Sequence, residues 1–136
     1  MLGADVALKA GQVETLRQIK EFAGGDGVQC VFDCVGVAET MKDSAASVMR
    51  GGQIIVVGEE AEFPRIDTIQ IAQRELEILG SRNGSRQDTA DSVAMMAQGI
   101  IKPLVVKIFP LAEIREAMDF VRSGQAHGRV VVRIRQ

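Results

Sequence analysis

Two apolar runs restrict the fold of this chain more than any other feature: "VQCVFDCV" at Val28–Val35 and "QIIVVG" at Gln53–Gly58. Neither alternates apolar with polar residues, as a strand with one wet face would. Short continuous apolar runs fit strands covered on both faces, the condition of a parallel sheet. Parallel neighbours need a crossover, and the residues between the runs are patterned for one. Met41, Ala45, Val48 and Met49 fall on one helical face, and Gly51-Gly52 follows as a stop. The same rhythm runs along the rest of the chain. Ala4–Lys9 reads as a short strand, and Val13, Leu16, Ile19 and Ala23 mark a helix stopped by Gly24-Gly25. A polar loop through Pro64 leads to a short helix at Thr68–Gln73, and "ELEILGS" (Glu75–Ser81) is a strand. A helix with Ala90, Val93 and Ala97 inward ends at Gly99. "LVVKIFP" is a strand ended by Pro110, and Leu111, Ile114, Ala117 and Val121 mark a helix ending at Ser123-Gly124. "GRVVVRI" is a last strand. Strands alternating with helices predict the α/β class, with a mostly parallel sheet flanked by helices. A shift at Gly99–Pro103 predicts a division into residues 1–100 and 101–136.

Ligands of open parallel sheets bind beyond the carboxyl ends of the strands. Three such ends carry glycine: Cys34-Val35-Gly36, Val57-Gly58-Glu59 and Gly80-Ser81-Arg82-Asn83. Glycine there either admits a ligand against the backbone or only permits a turn. The chain has no GxGxxG phosphate cradle, since "GGDG" at Gly24–Gly27 has the wrong spacing and precedes a strand. No Ser-His-Asp or Cys-His arrangement is evident. His127, Glu59-Glu60 and Arg129 read as solvated surface groups, although the planar fork of an arginine also suits phosphate.

The two cysteines, Cys30 and Cys34, would share a strand face roughly 13 Å apart at strand rise, too far for a disulfide. They read as two reduced, buried thiols. Their spacing offers no zinc cluster. A net charge of −2 without a long one-sign block, and the absence of Trp and Tyr, argue against a nucleic-acid binder. No apolar run is long enough for a membrane span, and "MLGADVALKAG" has no signal-peptide regions, so a cytoplasmic protein is expected.

The ordered set "LGADVALK", "GGDGVQCVFDCVG", "GGQIIVVG", "ELEILGSRNGSRQD", "GIIKPLV", "FPLAEIREAMDFVRSG" and "GRVVV" resembles the C-terminal part of medium-chain dehydrogenases. The resemblance is strongest to the zinc-containing alcohol, polyol and threonine dehydrogenase branch, and it covers essentially the whole chain. It implies a partial Rossmann-like fold. It places Cys34 and Val35 against the adenine and its ribose, and Val57 and Gly58 at the nicotinamide and its ribose. Ser81 and Asn83 would reach the carboxamide, and Arg129 lies near a phosphate-binding arginine. Asp33 takes a commonly acidic position, with no proton transfer assigned.

Family members precede this stretch with zinc ligands, a glycine-rich turn and a ribose-reading acid. The chain therefore looks like a piece of a longer member, from Met1-Leu2-Gly3 onward. The resemblance implies hydride transfer between a small-molecule alcohol and NAD or NADP in the complete enzyme, with zinc supplied there. By itself the chain would bind cofactor weakly or not at all, and it would carry no catalytic residue. Strand Leu76–Gly80 matches a family dimer edge, which implies a homodimer or larger assembly. In relatives the last third returns to the catalytic domain. Its strands must here pair with each other, pair with another copy, or stay loose. A non-catalytic nucleotide-binding or dimerisation module is the alternative.

Overall fold

The computed structural model describes residues 3–60 and 64–135, so Met1, Leu2 and part of the loop before Pro64 lie outside the described residues. The chain forms two compact units, Gly3–Asn83 and a second from Gly84 onward. The Gly99–Pro103 stretch lies inside the second unit.

The first unit is built on three parallel strands, β1 (Val28–Asp33), β2 (Val48–Val56) and β3 (Glu77–Gly80), in the order β1-β2-β3. Three helices connect and cover them: α1 (Val13–Phe22), α2 (Ala38–Ser47) and α3 (Thr68–Arg74). α1 ends where Gly25 N–H turns back to the Lys20 carbonyl at 2.7 Å, as the Gly24-Gly25 signal predicts. α3 starts on the Asp67 carboxylate, which accepts the N–H groups of Ile69 and Gln70 at 3.0 and 3.2 Å. Met41 from α2, Val48 and Ile54 from β2, and Leu76 form the buried core, with Val31, Ala45, Val56, Ile71 and Ile78 packed around it.

Four sequence expectations are corrected in this unit. Ala4–Lys9 forms no strand, because its apolar alternation finds no hydrogen-bonded neighbour among the described residues. Val48 and Met49 open β2 rather than closing α2. Their spacing suits a helix face, but the β-branched Val48 takes extended backbone, with φ −71° and ψ 144°. Gly51-Gly52 is then not a helix stop but an irregularity inside β2. Val28 pairs with Val48 and Cys30 with Gln53, so β2 spends extra residues against β1 there. Gly51 turns through φ +68°, and a Cβ on Gly52 would meet the Gln29 carbonyl oxygen at 2.9 Å. Finally, β1 stops at Asp33, so Cys34 and Val35 leave the strand although they continue its apolar run.

The second unit holds α4 (Arg86–Ala97), β4 (Val105–Pro110), a 3-10 turn at Leu111–Glu113, α5 (Ile114–Arg122) and β5 (Arg129–Arg133). β4 and β5 pair in parallel with each other, which selects one of the three fates open to these strands. α5 packs on that two-stranded sheet. Phe109 and Ala117 are buried, Phe120 stacks tilted at 6.2 Å from Phe109, and the Lys107 ammonium sits 4.5 Å over the Phe109 ring. Ala90, Val93 and Ala97 do not face inward: α4 has no buried residue, and Val93 is 57% exposed. The small sheet of this unit is occupied by α5. Among the described residues no helix is long and apolar enough to cross a membrane.

Candidate functional site

At the carboxyl ends of the parallel strands of the first unit, main-chain hydrogen bonds join the segments that leave the strands. The main-chain carbonyl of Asp33, the last residue of β1, accepts the N–H groups of Val57 (2.8 Å) and Gly58 (3.0 Å) just beyond β2. One strand further, Ser81 N–H donates to the Val56 carbonyl at 2.9 Å. The three strand ends are thereby held side by side.

Two glycines make the first of these junctions possible. Gly36 has φ +80°, and a Cβ there would lie 2.4 Å from the Gly58 carbonyl oxygen. A Cβ on Gly58 would lie 2.2 Å from the Val35 carbonyl carbon. Bare backbone thus faces bare backbone, and the apolar side chains of Val35 and Val57 remain 46% and 40% exposed beside it. Gly36 is buried in this contact, and Val35 and Val57 form the exposed apolar surface beside it.

The Asp33 side chain is buried at this junction, only 4% exposed. Its Oδ1 accepts the N–H groups of Val35 (3.0 Å) and Gly36 (2.9 Å), and its Oδ2 accepts the Thr40 hydroxyl at 2.8 Å. Thr40 Oγ1 also accepts Val37 N–H at 3.2 Å, which caps the first turn of α2. Sequence reasoning passed over Thr40. The available signal was a hydroxyl residue in the first turn of a helix that follows a strand-end acid.

Ser81 and Asn83 stand exposed at the β3 end, with Asn83 at φ +55°. Between them Arg82 reaches the Glu59 carboxylate at 3.2 Å, so Glu59 is paired rather than simply solvated. Both side chains are mostly exposed, and such a pair adds little stability. Arg129 opens β5 in the second unit, where its N–H donates to the Leu104 carbonyl at 2.7 Å. His127 is exposed in the turn before it, in keeping with its reading as a solvated group.

Both cysteines are free, but the expectation that both are buried is corrected. Cys30 is half-buried in β1, whereas Cys34 is exposed, because the chain has already turned out of the sheet. Among the described residues no three His, Cys, Asp or Glu side chains converge to hold a metal ion. A separate apolar trough of about 540 Å³ lies between Ala4–Ala10, α1 and Val28, away from the strand ends.

A family model described as zinc-binding dehydrogenase matches residues 2–132. D-arabitol-phosphate dehydrogenase of Enterococcus avium is 34% identical over 126 residues, which are 90% of this chain and 36% of that protein. D-arabinose 1-dehydrogenase (NADP(+)) of Saccharolobus solfataricus is 32% identical over 131 residues, 96% of this chain and 37% of that protein. Among solved structures, the alcohol dehydrogenase of Aeropyrum pernix superposes with a TM-score of 0.83 at 28% identity, covering 96% of this chain and 37% of that one. The chain therefore spans between a third and two fifths of the length of the relatives it matches.

Proposed function

The chain belongs to the zinc-binding dehydrogenase family, and from that premise we propose that it forms one wall of the dinucleotide site of an NAD(P)-dependent dehydrogenase acting on an alcohol or polyol. The observation that carries this reading is the apposition of Gly36 and Gly58 at the carboxyl ends of β1 and β2. It draws the two strand ends into direct contact at the place where open parallel sheets take their ligands, with Val35 and Val57 exposed beside the junction. Cys34, Val35, Val57 and Gly58 would hold the flat rings and sugars, and Ser81 and Asn83 would offer polar contacts at the β3 end. Arg129 would serve a phosphate. When bound, the nicotinamide supplies the atom that accepts or gives the hydride. The residues of this chain position it and exclude water along one side.

Zinc fits differently. The family is one of zinc-binding dehydrogenases, yet the described residues offer no converging ligand set. No step of the reaction is therefore assigned to zinc on this chain. In this reading residues 1–100 serve the cofactor, and residues 101–136 belong with the substrate-handling part of the enzyme. Two unpaired thiols, one of them exposed, suit a reducing compartment such as the cytoplasm.

The test is calorimetric titration of the 136-residue chain with NAD and with NADP. No GxGxxG turn is present in this chain to take the pyrophosphate. A micromolar dinucleotide complex is worth about 8 kcal/mol, and losing roughly 4 of these leaves a Kd on the order of 1 mM. A saturable heat in that range supports the reading. No saturable heat with either nucleotide at several times that concentration overturns it.

A further inference from the structure

We infer that Asp33 and Thr40 are positioning residues for the dinucleotide, acting as a clasp that holds the 34–36 turn in its binding shape; this rests on the crevice reading above. Buried carboxylates are costly unless every oxygen is served. Here all the partners serve a single purpose. Oδ1 gathers Val35 N–H and Gly36 N–H, the two amides that swing the chain out of β1 and against Gly58. Oδ2 takes the Thr40 hydroxyl at 2.8 Å.

The hydroxyl has one proton, and two acceptors stand near it, Asp33 Oδ2 and the Val37 carbonyl at 3.1 Å. The carboxylate is closer and charged, and the Val37 carbonyl already accepts Met41 N–H at 3.0 Å. The proton therefore goes to Asp33. The hydroxyl oxygen remains free to accept Val37 N–H at 3.2 Å. One chain of hydrogen bonds runs from the first turn of α2, through Thr40, to Asp33 and the turn at Val35-Gly36.

No atom of the clasp needs to touch a ligand. Asp33 is buried and each of its carboxylate oxygens already accepts a hydrogen bond from this turn or from Thr40. Its effect passes through Cys34, Val35 and Gly36. Loosening the clasp leaves the core of Met41, Val48, Ile54 and Leu76 in place but lets Gly36 swing away from Gly58. Thr40→Val is the sharpest probe. It keeps the shape of the side chain while leaving Asp33 Oδ2 and Val37 N–H without their partner. Thr40→Ser keeps the hydroxyl. Asp33→Asn keeps the two accepting contacts and can donate to the Thr40 oxygen, so it retains the turn with weaker bonds.

The readout is alkylation of Cys34 by iodoacetamide, followed by peptide mass spectrometry, with NAD and NADP as protecting ligands. Cys34 is exposed in the turn itself, and half-buried Cys30 in β1 reports in the same sample on opening of the fold. In the wild-type chain, dinucleotide should protect Cys34 with a half-protecting concentration on the order of 1 mM. In Thr40→Val that concentration should rise about tenfold, the loss of one charged hydrogen bond, while Cys30 alkylates at its wild-type rate. Thr40→Ser should return to within about twofold, and Asp33→Asn should fall between.

If neither dinucleotide protects Cys34 in the wild type, the crevice reading fails and the clasp with it. If the wild type is protected and Thr40→Val and Thr40→Ser share its midpoint, the crevice stands and the clasp is overturned. A rise in Cys30 alkylation matching the loss of Cys34 protection in Thr40→Val also overturns it, since the pair would then be holding the fold rather than the turn.

Discussion

Gly58 has no room for a methyl group. A Cβ there would fall 2.2 to 2.4 Å from the Val35 backbone atoms, and main chain pinned between two strands has little freedom to retreat. Gly36 is constrained twice, by the Gly58 carbonyl at 2.4 Å and by its own φ of +80°. Overpacking and a strained φ each cost about 1–3 kcal/mol. Gly58→Ala and Gly36→Ala should therefore each lower unfolding free energy by about 2–4 kcal/mol in urea titrations. Gly80 ends β3 with nothing within 4 Å of its Cβ position and an unexceptional φ. Gly80→Ala should stay within about 0.5 kcal/mol of wild type. Equal losses at all three positions would show that glycine apposition is not what sets the β1–β2 junction. The glycines themselves were legible in the sequence as strand-end residues. That one faces the other was not, because the contact joins residues far apart in the chain and no local pattern encodes it. The same holds for Asp33 and Thr40, whose hydrogen bond depends on how α2 leaves the sheet.

At the scale of the element, α2 shows how a helix end is closed from a distance. Its last carbonyls lack intrahelical donors. The Arg74 guanidinium, at the end of α3, supplies them, reaching the Ala45 carbonyl at 2.5 Å and also the Val48 carbonyl. Arg74→Met should cost about 1–3 kcal/mol, and Arg74→Lys should recover only part, since an ammonium does not span both carbonyls as a planar fork does. Urea midpoints measured on both variants check this; no change in either would mean the carbonyls are satisfied otherwise. α4 has a local device that makes it sensitive to acid. Ser85 N–H donates to Asp88 Oδ2 at 2.6 Å, and Asp88 N–H donates to Ser85 Oγ at 3.1 Å. The Ser85 backbone and hydroxyl hold the Asp88 carboxyl below the usual aspartate range. A carboxyl with a lowered folded-state value stabilises when ionised. Its contribution is complete above the ordinary value of about 3.9 and is lost as pH falls through the lower folded value. Amide exchange in the first turn of α4 should therefore gain an extra acceleration on acidification below about pH 4, and Asp88→Asn should abolish that step. These caps also explain which elements could be read from sequence. α1 and α5 carry local stops, Gly24-Gly25 and Ser123-Gly124, and those signals hold. The boundary between α2 and β2 does not, because Val48 and Met49 fit a helical face as well as an extended one. The outcome is decided by pairing with β1. Ala4–Lys9 fails for the complementary reason, having a strand's pattern but no paired neighbour.

For the whole molecule, two expectations follow from what the described residues hold and what they leave uncovered. His127 is the only histidine in the chain, and no trio of His, Cys, Asp or Glu converges among the described residues. Protein purified and dialysed should carry far less than one zinc per chain by elemental analysis, and a stoichiometric value would refute this. The second expectation concerns assembly. Among the described residues, β1 and β3 each have a hydrogen-bonded strand neighbour on one side within their sheet, and β4 and β5 pair with each other. Open edges are templates for further strands unless short, charged or covered. The β1 edge carries Phe32 at 65% exposure, and β3 carries Leu79 at 46%. Leu76, which the sequence assigns to the same open edge, is instead part of the buried core at 7% exposure. Pairing at β3 would therefore rest on Ile78, Leu79 and the backbone. We expect a dimer or larger species at tens of micromolar concentration and above by light scattering coupled to size exclusion. Leu79→Lys places a charge on the β3 edge and Phe32→Lys places one on the β1 edge, the means by which natural edge strands avoid association. Leu79→Lys alone should shift the species toward monomer if assembly runs through β3, whereas Phe32→Lys alone should do so if it runs through β1. A wild-type chain that scatters as a clean monomer across that range would rule out assembly through either edge.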